Sequence, residues 1–163
     1  MNDASERIEG VEVTETGAGR FQAQVHAAGT TFLVDEPVPA GGLGSGPNPY
    51  DLIGAALGAC TVMTLRLYAE RKGWPLKRAT VRVLHHRGAL EEKDRFAREI
   101  VLEGQLSGEQ RQRLLEIANR CPVHQTVERG SDVITVLTEE PLEGKLDPAP
   151  LEHCRDMQEA CAD

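Results

Sequence analysis

From Val11 to Asp35 apolar and polar positions alternate, with Phe21, Ala23 and Val25 on one face and Gln22, Gln24 and His26 on the other. Ala28-Gly29 supplies a turn before Thr31-Phe32-Leu33-Val34, so the segment reads as a β-hairpin or meander. Pro37 to Pro49 holds four Pro and four Gly and can only be a loop. Asn48 then suits an N-cap, Pro49 the first helical position and Asp51 the positive end of a helix dipole, while Gly73 and Pro75 close the run after Arg71-Lys72. The pattern predicts a helix over 49–72. No charged side chain falls between Asp51 and Arg66, so this half is expected to be enclosed by protein on every face. Its small residues, Gly54, Ala55, Ala56, Gly58 and Ala59, admit another backbone closely. With so few other helices, a second subunit is the expected source.

Alternation resumes over Ala79 to His86 and Phe96 to Gly104, around the charged turn Arg87 to Arg95, and predicts a second hairpin. Ser107 with Gln110 has capping-box spacing, and Leu114, Ile117, Ala118 and Cys121 follow at helical intervals until Pro122 interrupts. His124 to Arg129 reads as a short helix with Cys121 near its N-cap, and Asp132 to Leu137 as a last strand. This order does not alternate strand and helix as a doubly wound parallel sheet would, so the class is α+β. Pro141, Pro148 and Pro150 set off residues 139–163 as a tail, in which Cys154, Met157 and Cys161 form a short helical stripe.

Composition narrows the function. A formal charge of −8 and six aromatic residues in 163 leave little for a phosphate-backbone or base-stacking surface, so no nucleic-acid partner is expected. The acidic N-terminus has no apolar core of a secretory signal, and the longest uncharged helical stretch, Leu52 to Leu65, falls short of a bilayer span. A cytoplasmic protein without a membrane segment is expected. Four scattered cysteines are too few for a disulfide scaffold and point instead to catalysis, redox sensing or metal binding.

Cys60 lies in the middle of the apolar helix, where a free thiol can simply pack as a small hydrophobe. Cys121 stands at a helix break ahead of Pro122, where free N–H groups and a helix dipole favour thiolate. Cys121-Pro-Val-His124 also has a metal-ligand spacing, which His85-His86 or His153-Cys154 would have to complete, but no second pair supports it and no metal is expected. In a strand His85 and His86 face opposite sides, one packed and one solvated. The glycine-rich Gly41 to Gly46 lacks the Lys-Ser/Thr ending of a phosphate loop and reads as a flexible connector, and no Gly-x-Ser-x-Gly elbow is present.

Gly46-Pro-Asn-Pro-Tyr-Asp-Leu-Ile-Gly-Ala-Ala-Leu-Gly-Ala-Cys60 leading into a long helix, with a second cysteine about sixty residues on in Asn119-Arg-Cys121-Pro-Val-His124, resembles the osmotically inducible protein C and organic hydroperoxide resistance (OsmC/Ohr) family. The resemblance spans about residues 10–138, one domain over 1–138. It implies an intertwined homodimer with antiparallel sheets wrapped around central helices. It further implies that Cys60 is the peroxidatic cysteine, oxidised by a hydroperoxide to sulfenic acid, and that Cys121 resolves it as a disulfide reduced by a dithiol of the lipoyl type, with no cofactor. The family's Arg is matched by Arg20. Its Glu, ten residues before the cysteine, is matched by Tyr50, here given a substrate-binding role, with Asp51 beside it as the catalytic carboxylate. Ten residues of straight helix rise about 15 Å, so these would reach Cys60 of their own chain only through a break near Gly54 or Gly58, or else that of a partner subunit. The implied function is a thiol-dependent peroxidase acting on organic hydroperoxides. The alternative is a dimeric redox sensor or apolar-ligand carrier on the same fold, without turnover.

Overall fold

A computed structural model describes residues 10–137 and 152–162. The described residues form two compact units, 10–52 and 53–137 with 152–162. The class is α+β, with two antiparallel sheets and four α-helices among them.

In the first unit β1 (Val11–Glu15), β2 (Ala23–Ala27) and β3 (Thr30–Val34) form an antiparallel meander in which Val13 faces Val25 and Val25 faces Phe32. Ala28 and Gly29 have φ of 48° and 76°, the paired left-handed geometry that lets a two-residue loop follow the twist of both strands. The glycine-rich stretch after β3 is not the free connector its composition predicts. The buried Asp35 carboxylate accepts the N–H groups of Glu36 (2.8 Å), Leu43 (3.0 Å) and Ser45 (3.2 Å) and the Ser45 hydroxyl (2.7 Å). The Ser45 hydroxyl, helped by those N–H groups and opposed by burial, holds the Asp35 carboxyl below its ordinary value. A Cβ at Gly42 would strike the Glu36 carbonyl, and one at Gly46 that of Leu33, so glycine is needed for close approach rather than for mobility. Asn48 and Asp51 then cap α1 (Pro49–Lys72) reciprocally: the Asn48 N–H donates to Asp51 and the Asp51 N–H to Asn48 Oδ1, both at 2.9 Å.

The second unit is built on α1, which ends with Gly73 at φ 64°, the Gly73 N–H on Glu70 and the Trp74 N–H on Ala69. β4 (Leu76–His86) and β5 (Arg95–Gly104) form the expected hairpin. Ser107 and Gln110 complete a capping box on α2 (Gly108–Ala118), and α3 (Pro122–Arg129) and α4 (Glu152–Ala160) follow. Leu65, Tyr68, Ala69, Leu76, Leu106, Leu114, Ile117, Ala118 and Cys161 make the larger core. The tail thus contributes a core residue, because Cys161 sits just past α4 with its thiol 3.6 Å from the Thr64 carbonyl and Arg71 donates to the Gln158 carbonyl at 3.1 Å. The start of the tail at residue 139 lies outside the described residues.

Three expectations change. Asp132 to Leu137 forms no strand, because no described segment of this chain pairs with it, and Val133, Ile134 and Leu137 are exposed. The uncharged half of α1 is covered on one side only: Gly54 and Gly58 lie against Val83 of β4, whereas Ile53, Ala55, Ala56, Ala59 and Met63, the last 52% exposed, are bare in the single chain. The glycines therefore serve a strand of the same chain. Finally, α1 is long and apolar enough to cross a membrane by length and composition, since an 18-residue window tolerates the charges that ended the shorter count at Leu65. A core helix meets the same test, and the packed face of α1 has that character.

Candidate active site

The buried face of α1 presents Leu57, Cys60, Thr61, Thr64, Leu65 and Tyr68, a 3–4 spacing that fixes Cys60 inward. Thr61 and Thr64 are accommodated there because each hydroxyl donates to the carbonyl four residues back, at 2.7 and 2.8 Å. Cys121 is delivered from the other side by the α2–α3 junction. Pro122 occupies the first position of α3, where its missing N–H costs nothing, and Cys121 is the N-cap, its sulfur accepting the His124 N–H at 3.3 Å. The two thiols, both free and fully buried, lie in one cluster with Leu57, Val83, Phe96 and Val123.

This environment is asymmetric. The Cys60 thiol beside it, with the His124 N–H and the Arg98 cation, overcomes burial and draws Cys121 down to about 5. Cys121 in turn, together with burial, pushes Cys60 well above the ordinary thiol range, although the Val123 N–H points at its sulfur at 3.5 Å. One negative charge is therefore favoured in the pair, and it rests on Cys121.

Arg98 was not among the candidates in the sequence. It projects from β5 and donates through Nη1 to Thr61 Oγ1 and the Ala118 carbonyl, both at 2.9 Å, and through Nη2 to Asn119 Oδ1 at 2.8 Å and His124 Nδ1 at 2.9 Å. A guanidinium has no acceptor, so His124 carries its proton on Nε2, which faces Glu128 at 3.4 Å. The legible signal was phase, because Arg98 alternates with Phe96 and Ile100 on the inward side of β5. His153 is the second addition: α4 places its Nε2 3.3 Å from the Cys60 sulfur. Nothing in a separation of 93 residues announces that contact.

The other sequence candidates belong to the first unit. Arg20 is exposed, 6.0 Å from the Phe21 ring, and Asp51 is engaged in capping α1; Tyr50 is half-buried. The contacts described for the thiol pair all come from the second unit. α1 runs unbroken through Gly54 and Gly58. His85 is half-buried, stacked on Phe96 at 4.7 Å, while His86 is exposed, as the strand alternation requires. An open cleft of about 840 Å³ is lined by Leu57, Phe96 and Val127 together with the charged or polar Lys93, Asp94, Arg98, His124 and Arg129. It shares Leu57 and Phe96 with the thiol cluster and so lies beside it.

A family model described as OsmC-like protein matches residues 42–136. Among solved structures, the chain is similar to an OsmC-like protein from Mycoplasma pneumoniae at 15% identity, covering 76% of this chain and 89% of that one, with a TM-score of 0.60. It is similar to the organic hydroperoxide resistance protein OsmC from Legionella pneumophila at 19% identity, 75% and 91% coverage and a TM-score of 0.56. An organic hydroperoxide resistance protein from Elizabethkingia anophelis matches at 26% identity, 72% and 86% coverage and a TM-score of 0.52. A search of curated proteins gives no match.

Proposed function

The chain belongs to the OsmC-like protein family, and on that premise we propose that it is a thiol-dependent peroxidase that reduces organic hydroperoxides through Cys60 and Cys121. The observation that carries this reading is that two free thiols 61 residues apart share one buried cluster. In the proposed cycle the Cys60 sulfur attacks the hydroperoxide, the O–O bond breaks, and the alkoxide leaves with a proton as the alcohol. Cys60 is left as sulfenic acid. The Cys121 thiolate attacks that sulfur, the S–O bond breaks and the hydroxide takes a proton from solvent as water, and the resulting disulfide is reduced by a dithiol donor. A charge favoured on Cys121 suits the second step. Leu57 and Phe96, shared by the cleft and the thiol cluster, are the apolar surface that would favour organic peroxides over hydrogen peroxide.

A homodimer is part of the proposal. The bare alanine face of α1, its exposed Ile53 and Met63, and the unpaired apolar segment Val133 to Leu137 are surfaces that a second copy would cover, so sedimentation is expected to give twice the chain mass. In that dimer Arg20, Tyr50 and Asp51 would act on the thiols of the partner subunit.

The test is one equivalent of cumene hydroperoxide on fully reduced protein, with disulfides mapped by peptide mass. A rapid Cys60–Cys121 link, faster than with hydrogen peroxide, is expected. Cys60 left reduced would overturn the reading. A single oxidation that no dithiol reverses would favour the redox-sensing alternative, which Tyr50 in the place of the family's Glu supports.

A further inference from the structure

We propose that His153, on the C-terminal helix α4, is the acid–base partner of Cys60: it takes the thiol proton before attack and returns it to the departing alkoxide. The second half of this assignment rests on the peroxidase reading; the first half does not.

The Cys60 proton must have somewhere to go before the sulfur can attack. Cys60 has a single S–H, with the Cys121 sulfur in the same cluster and His153 Nε2 at 3.3 Å. Passing the proton to Cys121 would neutralise the sulfur that must later attack the sulfenic acid. Passing it to His153 leaves both sulfurs competent, the second negative charge forming only for the attack and beside the imidazolium, while the resting pair keeps one. Cys60 is only 1% exposed, whereas His153 is exposed, so the imidazole joins a buried sulfur to solvent and gives its proton a route in and out. α4 is held for this purpose at its far end, where Cys161 lies in the core beneath α1 and Arg71 holds the Gln158 carbonyl. α4 lies beyond residues 42–136, so this group is an addition to the part of the chain that the family model describes.

The charged and titratable surroundings are few. Cys121 comes from the α2–α3 junction with Arg98 of β5 and His124 of α3 behind it, and the Val123 N–H of α3 points at the Cys60 sulfur. On α4 itself Glu152 and Asp156 flank His153 and both pair with Arg155, at 3.7 and 3.9 Å. The step balances as a proton transfer: the Cys60 S–H bond breaks, the His153 Nε2–H bond forms, and an imidazolium–thiolate pair replaces two neutral groups. After O–O cleavage the same proton passes to the alkoxide and His153 is neutral again.

The experiment follows iodoacetamide labelling of Cys60 by peptide mass between pH 5 and 9, in the full chain and in His153→Asn and His153→Ala. Labelling needs no peroxide, so it separates this proposal from the peroxidase reading. In His153→Asn, labelling at pH 7 is expected to slow about tenfold or more and its pH profile to move toward that of an ordinary thiol, and free imidazole is expected to restore rate to His153→Ala. Circular dichroism confirms folding, which an exposed position should not disturb. An unchanged rate and profile in His153→Asn would overturn the proposal even if the protein turns over hydroperoxide. Labelling that depends on His153 in a protein inert to cumene hydroperoxide would sustain the proton transfer and overturn the peroxidase reading.

Discussion

In Cys60→Ser, dithiol-dependent reduction of cumene hydroperoxide is expected to fall at least about a thousandfold, whereas Cys121→Ser is expected to consume one equivalent per chain and then stop. The difference follows from the position of each sulfur. A serine at 60 has no sulfur to oxidise, and its hydroxyl, in a cluster of Leu57, Val83, Phe96 and Val123, is far too weak an acid to attack in its place. Cys121→Ser leaves the attacking sulfur and removes the group that would close the disulfide, so a sulfenic acid accumulates with no thiol beside it. Both substitutions are close in volume, so both chains should fold. The charge on Cys121 also makes the opposite assignment worth measuring, in which Cys121 attacks and Cys60 resolves. Mapping the first sulfenic acid in each variant decides it: oxidation of Cys121 in Cys60→Ser at the wild-type rate would reverse the two roles.

The sequence was readable where local rules act alone. Asn48-Pro49 with Asp51 and Gly73 bound α1 because capping and left-handed termination depend on residues within a turn of each end. Ser107 with Gln110 marked α2 for the same reason, and Cys121 at an N-cap followed from Pro122. Reading stopped where a residue's partner is remote. Arg98 carries only its inward phase with Phe96 as a signal, and its four acceptors lie on other elements. His153 could not be paired with Cys60 by any pattern, since only the packing of α4 brings them together. Val133 to Leu137 failed in the other direction: its composition favours a strand, but a strand exists only when another segment hydrogen-bonds to it. The glycine-rich loop was misjudged because composition counts its glycines without seeing Asp35, whose carboxylate gathers their neighbours' N–H groups.

Arg98→Met is expected to cost about 2–4 kcal/mol of stability and to move the first thiolate titration upward, both readable by thermal melting and by absorbance at 240 nm. The guanidinium ties Thr61 on α1, the last carbonyl of α2, Asn119 and His124 together around Cys121, and a methionine leaves the fully buried Thr61 oxygen and the Ala118 carbonyl without that donor. Arg98→Lys keeps the charge but cannot span four acceptors with one ammonium, so it should retain most of the titration and lose much of the stability. The direction with pH follows from the shift of Cys121 to about 5. A depressed thiol contributes stability that is fully present above the unfolded-chain value, in the ordinary thiol range, and is lost as pH falls through about 5. The wild-type chain should therefore show one thiolate, not two, at neutral pH and lose stability on acidification across that interval, and Arg98→Met should lose less because less of the contribution is left. A variant with the wild-type melting temperature and the same thiolate midpoint would mean that Cys60 and the α3 N-terminus alone hold the charge, and that the Arg98 cation does not contribute to it.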